Sequence, residues 1–373
     1  MASEINPSLK HGSISDDRFT GAYRVLDEAI ADGAFPGCAF GVLVGSKVIL
    51  QDARGHFTYE GSSPGVTIPT VFDLASVSKV VATTAIAMLL YQRGQLDIDG
   101  LLGDLLPGFL EGRASDDPAR KIRLRNLLAH NSGLPGYVEF FKTASTPAEL
   151  LNACLQLNLE TRPGERGDYS DPGFILLGKA LEVCMGESLD AFAQREIFEP
   201  LGMAATGFCP APEMRETIPP TEDDTTFRGR RIQGEVQDEN AWVLGGVAGH
   251  AGLFSNVPDV LRFSREILDA TGDTLAQTNL IQAATIQLFG SREGPVGSSR
   301  ALGWDTPSAQ SSSGQYFSPH SIGHLGYSGC SLWIDLDARI AVVLLTNRTW
   351  PDRKSQLIRQ VRPAFHDAVR QAL

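Results

Sequence analysis

Strand-forming segments lie at the two ends of this chain and helix-forming segments lie between them. That order restricts the fold more than any other feature. Near the start, residues 39–44 and 47–51 are two apolar runs separated by Gly45-Ser46, a two-residue hairpin signal. Near the end, residues 322–326, 331–335 and 340–346 are strand-like, with Asp337-Ala338-Arg339 as a turn. The run Ala341-Val342-Val343-Leu344-Leu345 lacks polar alternation and predicts a strand covered on both faces. From about 72 to 240 the pattern is helical. Residues 77–93 are strongly apolar and Gly94 is placed to end them. Thr146 opens another helix with Pro147 just inside it, and 173–184 and 188–198 are two more.

A helix carrying Ala22, Val25, Leu26, Ala29 and Ile30, capped by Ser15 or Asp16, precedes the hairpin. Residues 356–373 form a closing helix. The simplest architecture is one sheet assembled from both termini, with a helical domain inserted between its halves. The expected division is 1–72 plus 245–373 for the sheet domain and 73–244 for the helical domain, with the active site between them. Residues 206–237 are polar, with three prolines between Ala211 and Thr221, and predict a long surface excursion. Residues 308–314 are a Ser/Gln/Gly tract and predict a mobile loop.

With 42% hydrophobic and 20% charged residues, the 373-residue chain can bury a large core. Its net charge is −12 and it has no Lys/Arg run, which argues against a nucleic-acid partner. No stretch of about 18 uncharged apolar residues is evident, so no membrane span is expected. The first seven residues lack a basic and an apolar region, which does not fit a secretory signal. Five cysteines (Cys38, Cys154, Cys184, Cys209, Cys330), odd in number and with no CxxC pair, read as free thiols in a reducing compartment. A cytoplasmic location is expected.

Ser76-Val77-Ser78-Lys79 is an S-x-x-K motif at the start of the apolar helix. Residues three apart share a helix face, so Lys79 can sit beside the Ser76 hydroxyl. The helix N-terminus offers free N–H groups and positive potential, which favour an alkoxide or oxyanion. That potential, together with burial, disfavours an ammonium and is expected to lower the Lys79 pKa, making it a base.

Four further segments give the motif a context. Asp168-Tyr169-Ser170-Asp171 precedes an apolar helix, and His324-Leu325-Gly326-Tyr327-Ser328-Gly329 lies on a C-terminal strand. Residues 127–134 read Leu-Leu-Ala-His-Asn-Ser-Gly-Leu, and 245–263 are glycine-rich at their start. In this order the chain resembles the serine β-lactamase and penicillin-binding-protein superfamily. The likeness is to the branch of class C β-lactamases, DD-peptidases and family VIII carboxylesterases, and it covers about 34–351. That family has S-x-x-K, then Tyr-x-Asn, then Lys- or His-Thr-Gly. The resemblance implies an α/β fold of β-lactamase/transpeptidase type, an antiparallel sheet with flanking helices and an inserted helical domain.

It also implies roles. Ser76 would be the nucleophile, Lys79 its base partner and Tyr169 the proton shuttle. The backbone N–H groups of Ser76 and Tyr327 would form the oxyanion hole. Asp171, His324 and Gly326 would contact substrate. Asp171 stands where Asn is usual, so an amide donor is lost. His324 and Leu325 stand where β-lactamases have Lys and Thr. A mostly neutral imidazole binds a substrate carboxylate less well than an ammonium does, and His324 should favour anionic substrates only below about pH 6.5. The expected activity is carboxylesterase-like hydrolysis of small esters or amides through an acyl-enzyme, with weak or no β-lactamase activity. The alternatives are a D-alanyl-D-alanine carboxypeptidase and a penicillin-recognising sensor that acylates without turnover. The partner is a small ester, amide or β-lactam, and no cofactor or metal is expected.

Other signals carry less. Gly61-Ser62-Ser63-Pro64-Gly65 matches G-x-S-x-G, but lies in a turn followed by a β-rich segment and not a helix. His320 and His324 on one strand would be about 13 Å apart, too far to share a metal. His250 could face the pocket or be a loop histidine bonded to backbone. Arg348 or Arg353 could compensate for His324 by binding a substrate carboxylate, or be solvated.

Overall fold

The structure is a computed structural model and describes residues 16–272 and 280–373. Helix α1 spans Thr20–Ala31 behind a single 3-10 turn, which Asp16 caps by accepting the Arg18 N–H. Ser15, the other candidate cap, lies outside the described residues. The predicted hairpin forms as β1 (Gly37–Val44) and β2 (Lys47–Gly55). The C-terminal strands are β3 (Ser321–Leu325), β4 (Ser331–Asp335) and β5 (Ile340–Thr346). Together they make one five-stranded antiparallel sheet in the order β2-β1-β5-β4-β3. The two ends of the chain meet where β1 pairs β5, from Cys38 opposite Thr346 to Val44 opposite Ile340.

The central position of β5 explains its unbroken apolar run. Ala341, Val343 and Leu345 pack on one face against Val257 and Leu261 of helix α4 (Val257–Ala270). Val342 and Leu344 pack on the other against Leu26 of α1 and Phe365 and Val369 of helix α5 (Ile358–Gln371). Every β5 side chain is thereby removed from water.

Two helices in the middle of the chain bear on the site. Helix α2 runs from Ala75 to Gln92, with a π-helical stretch over Lys79–Thr84. Helix α3 spans Asp171–Met185, capped by the Ser170 hydroxyl and ended by Gly186 in the left-handed conformation. By length and apolarity α2 qualifies as a candidate membrane span, contrary to the sequence expectation that no such stretch is present. It is 83% buried within the protein, as a core helix is.

Two expectations are corrected. Residues 206–237 are not merely a surface excursion. They hold a small hairpin (Glu222–Asp224 with Arg230–Ile232), and Ile218 and Val236 join a hydrophobic cluster with Val71 and Phe254. Within this segment Asp224 and Arg228 form an ion pair at 3.0 Å with each side chain only 2% exposed. Polar composition concealed the segment because its charges neutralise each other inside. The 308–314 tract is also anchored: Ser313 is buried, and the Ser312 carbonyl accepts from the His366 imidazole at 2.8 Å.

Candidate active site

The start of α2 is held by strand pairing and by one carboxylate. Phe72–Asp73 pairs with Leu253–Ser255. Asp73, 2% exposed, accepts the N–H of Ala75 at 2.8 Å and that of Gln237 at 2.8 Å. Ala75 sits at φ +46°, a left-handed conformation that costs free energy in a non-glycine residue. The Asp73 bond fixes it, and Ser76 is the next residue. Burial pushes the Asp73 pKa up to about 6, despite its two backbone donors.

Ser76 Oγ accepts from Lys79 Nζ at 3.0 Å and from the Tyr169 hydroxyl at 2.8 Å. Lys79 is fully buried and donates also to Asp171 Oδ1 at 2.7 Å and to the His250 carbonyl at 2.9 Å. Three acceptors require three N–H groups, so Lys79 is an ammonium in this arrangement. Burial pulls its pKa down, but the Asp171 carboxylate pushes it up and prevails, so the net shift is upward. This corrects the expectation of a lowered lysine pKa, which weighed burial and the helix end without a carboxylate partner. The Tyr169 phenol is raised by burial and then by the Asp171 charge, and is neutral at pH 7.

His130 completes the setting of Tyr169. It stands at φ +53°, accepts the Ser170 N–H at Nδ1 (3.0 Å), and its ring lies 4.5 Å from that of Tyr169 and 4.8 Å from that of Phe174. On the other side, Arg300 lies 5.3 Å from the Tyr169 ring centre. Nothing in the spacing of the chain singled out Asp73, His130 or Arg300. The Leu-Leu-Ala-His segment was the one signal that could have drawn attention to His130.

These groups open onto a cavity of about 590 Å³, lined among others by Ser76, Tyr169, Asp171, His324, Gly326 and Tyr327. His324 is 3% exposed and donates Nδ1–H to the Leu325 carbonyl at 2.8 Å. Burial, and then the charges of Lys79 and Arg300, hold its pKa well below the usual imidazole range. His324 therefore stays neutral below pH 6.5, and the expected acid-side gain for anionic substrates is withdrawn. Gly326 closes against α2: a Cβ there would come within 2.4 Å of the Leu74 carbonyl oxygen. The Tyr327 N–H has no acceptor among the described residues, and the Ser76 N–H lies in the first helical turn, where N–H groups lack intrahelical partners.

Two predicted contacts differ from expectation. His250 is 1% exposed and its Nε2 meets Asp238 Oδ1 at 2.9 Å. His250 itself does not line the cavity although its partner Asp238 does, and it is the His250 carbonyl that serves Lys79. Arg348 lines the cavity, yet its guanidinium donates to the Tyr327 carbonyl at 2.8 Å and the Ser355 carbonyl at 3.0 Å. Arg353 is likewise taken up by Glu222 and Glu239. Arg353 is thereby neutralised, whereas Arg348 has no carboxylate partner among the described residues. Ser63 caps the Thr58 N–H in its turn, and His320 is exposed and paired with Asp337 at 3.0 Å.

Chemically, the site can hold a serine oxygen between an ammonium and a phenol. A proton can move between Lys79 and Asp171, and two backbone N–H groups border the same cavity.

Comparisons with known proteins bear on the family and the fold. A family model described as Beta-lactamase matches residues 23–363. Proteins of Salmonella typhi and Salmonella typhimurium named "Putative D-alanyl-D-alanine carboxypeptidase" are 29% identical over 352 residues, covering 85% of this chain and 80% of theirs. The hydrolase EstCE1, described as having promiscuous acyltransferase activity, is similar in structure (TM-score 0.73, 26% identity, 95% of this chain and 100% of that one). A penicillin-binding protein homolog from Caulobacter crescentus superposes with a TM-score of 0.76 at 18% identity, over 97% of this chain and 99% of that one. The fold is thus that of β-lactamases and their transpeptidase-like relatives. With the family model spanning the chain from α1 to α5, this protein belongs to the beta-lactamase family.

Proposed function

We propose that this protein is a serine hydrolase that acylates Ser76 and acts as a carboxylesterase on small esters or amides. The observation that carries the reading is the convergence of Lys79 Nζ and the Tyr169 hydroxyl on Ser76 Oγ, at 3.0 and 2.8 Å. Lys79 passes a proton to Asp171 across 2.7 Å, and the freed amine takes the Ser76 proton as the oxygen attacks. Tyr169, a neutral phenol, protonates the leaving group and then draws a proton from the deacylating water. The N–H groups of Ser76 and Tyr327 hold the oxyanion.

The preference for esters is supported by two departures from the β-lactamase pattern. Asp171 is a carboxylate committed to Lys79, so it offers no amide to an acylamino side chain. His324 is neutral and Arg353 is neutralised by Glu222 and Glu239, so the strand position that carries a lysine in β-lactamases offers no cation here. The similarity to EstCE1, described as a hydrolase with promiscuous acyltransferase activity, supports chemistry through an acyl-enzyme. The names of the Salmonella relatives favour a second reading, a D-alanyl-D-alanine carboxypeptidase.

The test is a panel of short-chain p-nitrophenyl esters, nitrocefin and D-Ala-D-Ala peptides, with intact-mass detection of an adduct on Ser76. Turnover of esters with little or none of nitrocefin supports the ester reading. Peptide hydrolysis exceeding ester hydrolysis would replace it with the carboxypeptidase reading.

A further inference from the structure

The turn that follows β3 supplies the second oxyanion donor in the reading above, and the following inference rests on that reading. Residues 326–330 have every backbone carbonyl occupied. The Gly326 oxygen accepts from Arg362 Nη2 at 2.5 Å and from the Gly329 N–H at 3.0 Å. The Tyr327 oxygen accepts from Arg348 Nε, and the Ser328 oxygen from the Arg348 N–H and Thr346 Oγ1. The Gly329 oxygen accepts from Arg362 Nε at 3.1 Å, and the Cys330 oxygen from the Gly326 N–H at 2.7 Å and Arg362 Nη2 at 2.9 Å. The Tyr327 N–H faces no protein acceptor among the described residues, and Tyr327 lines the cavity.

Arg362 therefore touches three of the five carbonyls from a different element, α5. Its guanidinium is 7% exposed and lines the cavity, and no carboxylate is paired with it among the described residues. Burial pulls its pKa down to about 10, which still leaves a cation at pH 7. A buried charge without a counter-ion is costly unless its hydrogen bonds are strong or its field is used.

The chemistry turns on one peptide group. The Gly326 carbonyl and the Tyr327 N–H are its two ends, and in a planar trans peptide they point in opposite directions. A donor fixed on the oxygen fixes where the N–H aims. It also polarises the group, which makes the N–H a better donor. We propose that Arg362 is a positioning residue of the oxyanion hole, aiming and polarising the Tyr327 N–H through the Gly326 carbonyl while its unneutralised charge adds to the field at the oxyanion. In this arrangement the C-terminal helix is part of the catalytic apparatus as well as the cover of the sheet.

A purely structural clamp would lower stability and leave the carbonyl chemistry of a correctly folded acyl-enzyme unchanged. The full chain and its Arg362→Gln and Arg362→Lys variants would be assayed with p-nitrophenyl butyrate. Each would then be acylated with a hindered, ¹³C-carbonyl-labelled aryl ester, the Ser76 adduct verified by intact mass and its C=O stretch read by difference infrared spectroscopy. For Arg362→Gln, kcat should fall about ten- to a hundredfold, since losing an oxyanion donor outright costs more. KM should stay within about twofold, because the bond is realised in the transition state. The acyl carbonyl stretch should rise to higher wavenumber as the hole weakens. Arg362→Lys keeps the charge but cannot reach all three carbonyls, so it should fall between the two.

If Arg362→Gln does not fold, the lysine variant decides by the same stretch. A wild-type adduct on Ser76 with an unmoved stretch and unchanged kcat in the folded variant overturns the assignment of Arg362 alone. Absence of the wild-type adduct overturns the hydrolase reading and the Arg362 assignment with it.

Discussion

Lys79 has its three protons placed on Ser76, Asp171 and the His250 carbonyl, and only Asp171 can accept one outright. Asp171→Asn removes the charge that holds the ammonium. The main opposition to burial is then gone, and the ascending limb of kcat/KM against pH should move toward acid. An unmoved limb would show that Lys79 is not the titrating base. Tyr169→Phe keeps the ring against His130 and removes the hydroxyl, so ester turnover should drop about 10²- to 10⁴-fold with the fold intact. Ser76→Ala should abolish turnover and Ser63→Ala should change little, since Ser63 only bonds a turn amide. A dead Ser63 variant with an active Ser76 variant would move the site elsewhere. Ser76, Lys79 and Tyr169 were legible because the first pair is set by helical spacing and the third by the order of motifs. The pairing of Lys79 with Asp171 was not legible. Asp171 lies 92 residues from Lys79, and no local rule says which charge a folded chain will place beside a buried ammonium.

At the scale of elements, the site depends on how closely β3 approaches the start of α2. Gly326→Ala would press a methyl against the Leu74 carbonyl and push the strand end away. Activity should fall by more than thermal stability, measured as kcat/KM against Tm, because the displaced turn carries the Tyr327 N–H. Equal losses would mean that the approach serves packing alone. Phe365 anchors α5 on the sheet, fully buried and edge-on to Phe40 at 5.7 Å. Phe365→Ala should cost about 3–5 kcal/mol in denaturant unfolding. A cost under about 1 kcal/mol would mean that the helix is held by other contacts. The periodicity of α5 was readable from the sequence, and so was the anomaly in it. Ile358, Phe365 and Val369 form the buried stripe, and Arg362 sits within it. A charge on the apolar face of a helix marks a residue whose partner must be found in three dimensions.

The molecule as a whole buries several titrating groups, and their signs differ. Burial holds His130 and His324 well below the usual imidazole range and His366 at about 4. In the unfolded chain these groups protonate near pH 6.5. Their contribution is complete above pH 6.5 and is lost as pH falls below it. Asp73 is raised to about 6 by burial, so its contribution has the opposite sign and grows as pH falls through 6. By pH 5 His366 gives up about 2 kcal/mol and Asp73 returns about 1, while His130 and His324 shift stability in the same direction as His366. Unfolding free energy should therefore be lower at pH 5 than at pH 7.5. A flat profile would show that these imidazoles reach water in the folded state.

The sequence by itself determined the elements and their order: the hairpin, the apolar helix opening at Ser76, the doubly covered strand at 341–345 and the closing helix. These follow from short-range periodicity and turn chemistry, which act over a few residues. The tertiary structure alone decided the protonation of Lys79, the neutrality of His324, the engagement of Arg348 and Arg353, and the meeting of Arg362 with the turn at 326–330. Each depends on which charges and carbonyls are brought within about 3 Å by segments distant in the chain. Electrostatics and burial at that range are properties of the assembled interior, not of any stretch of residues.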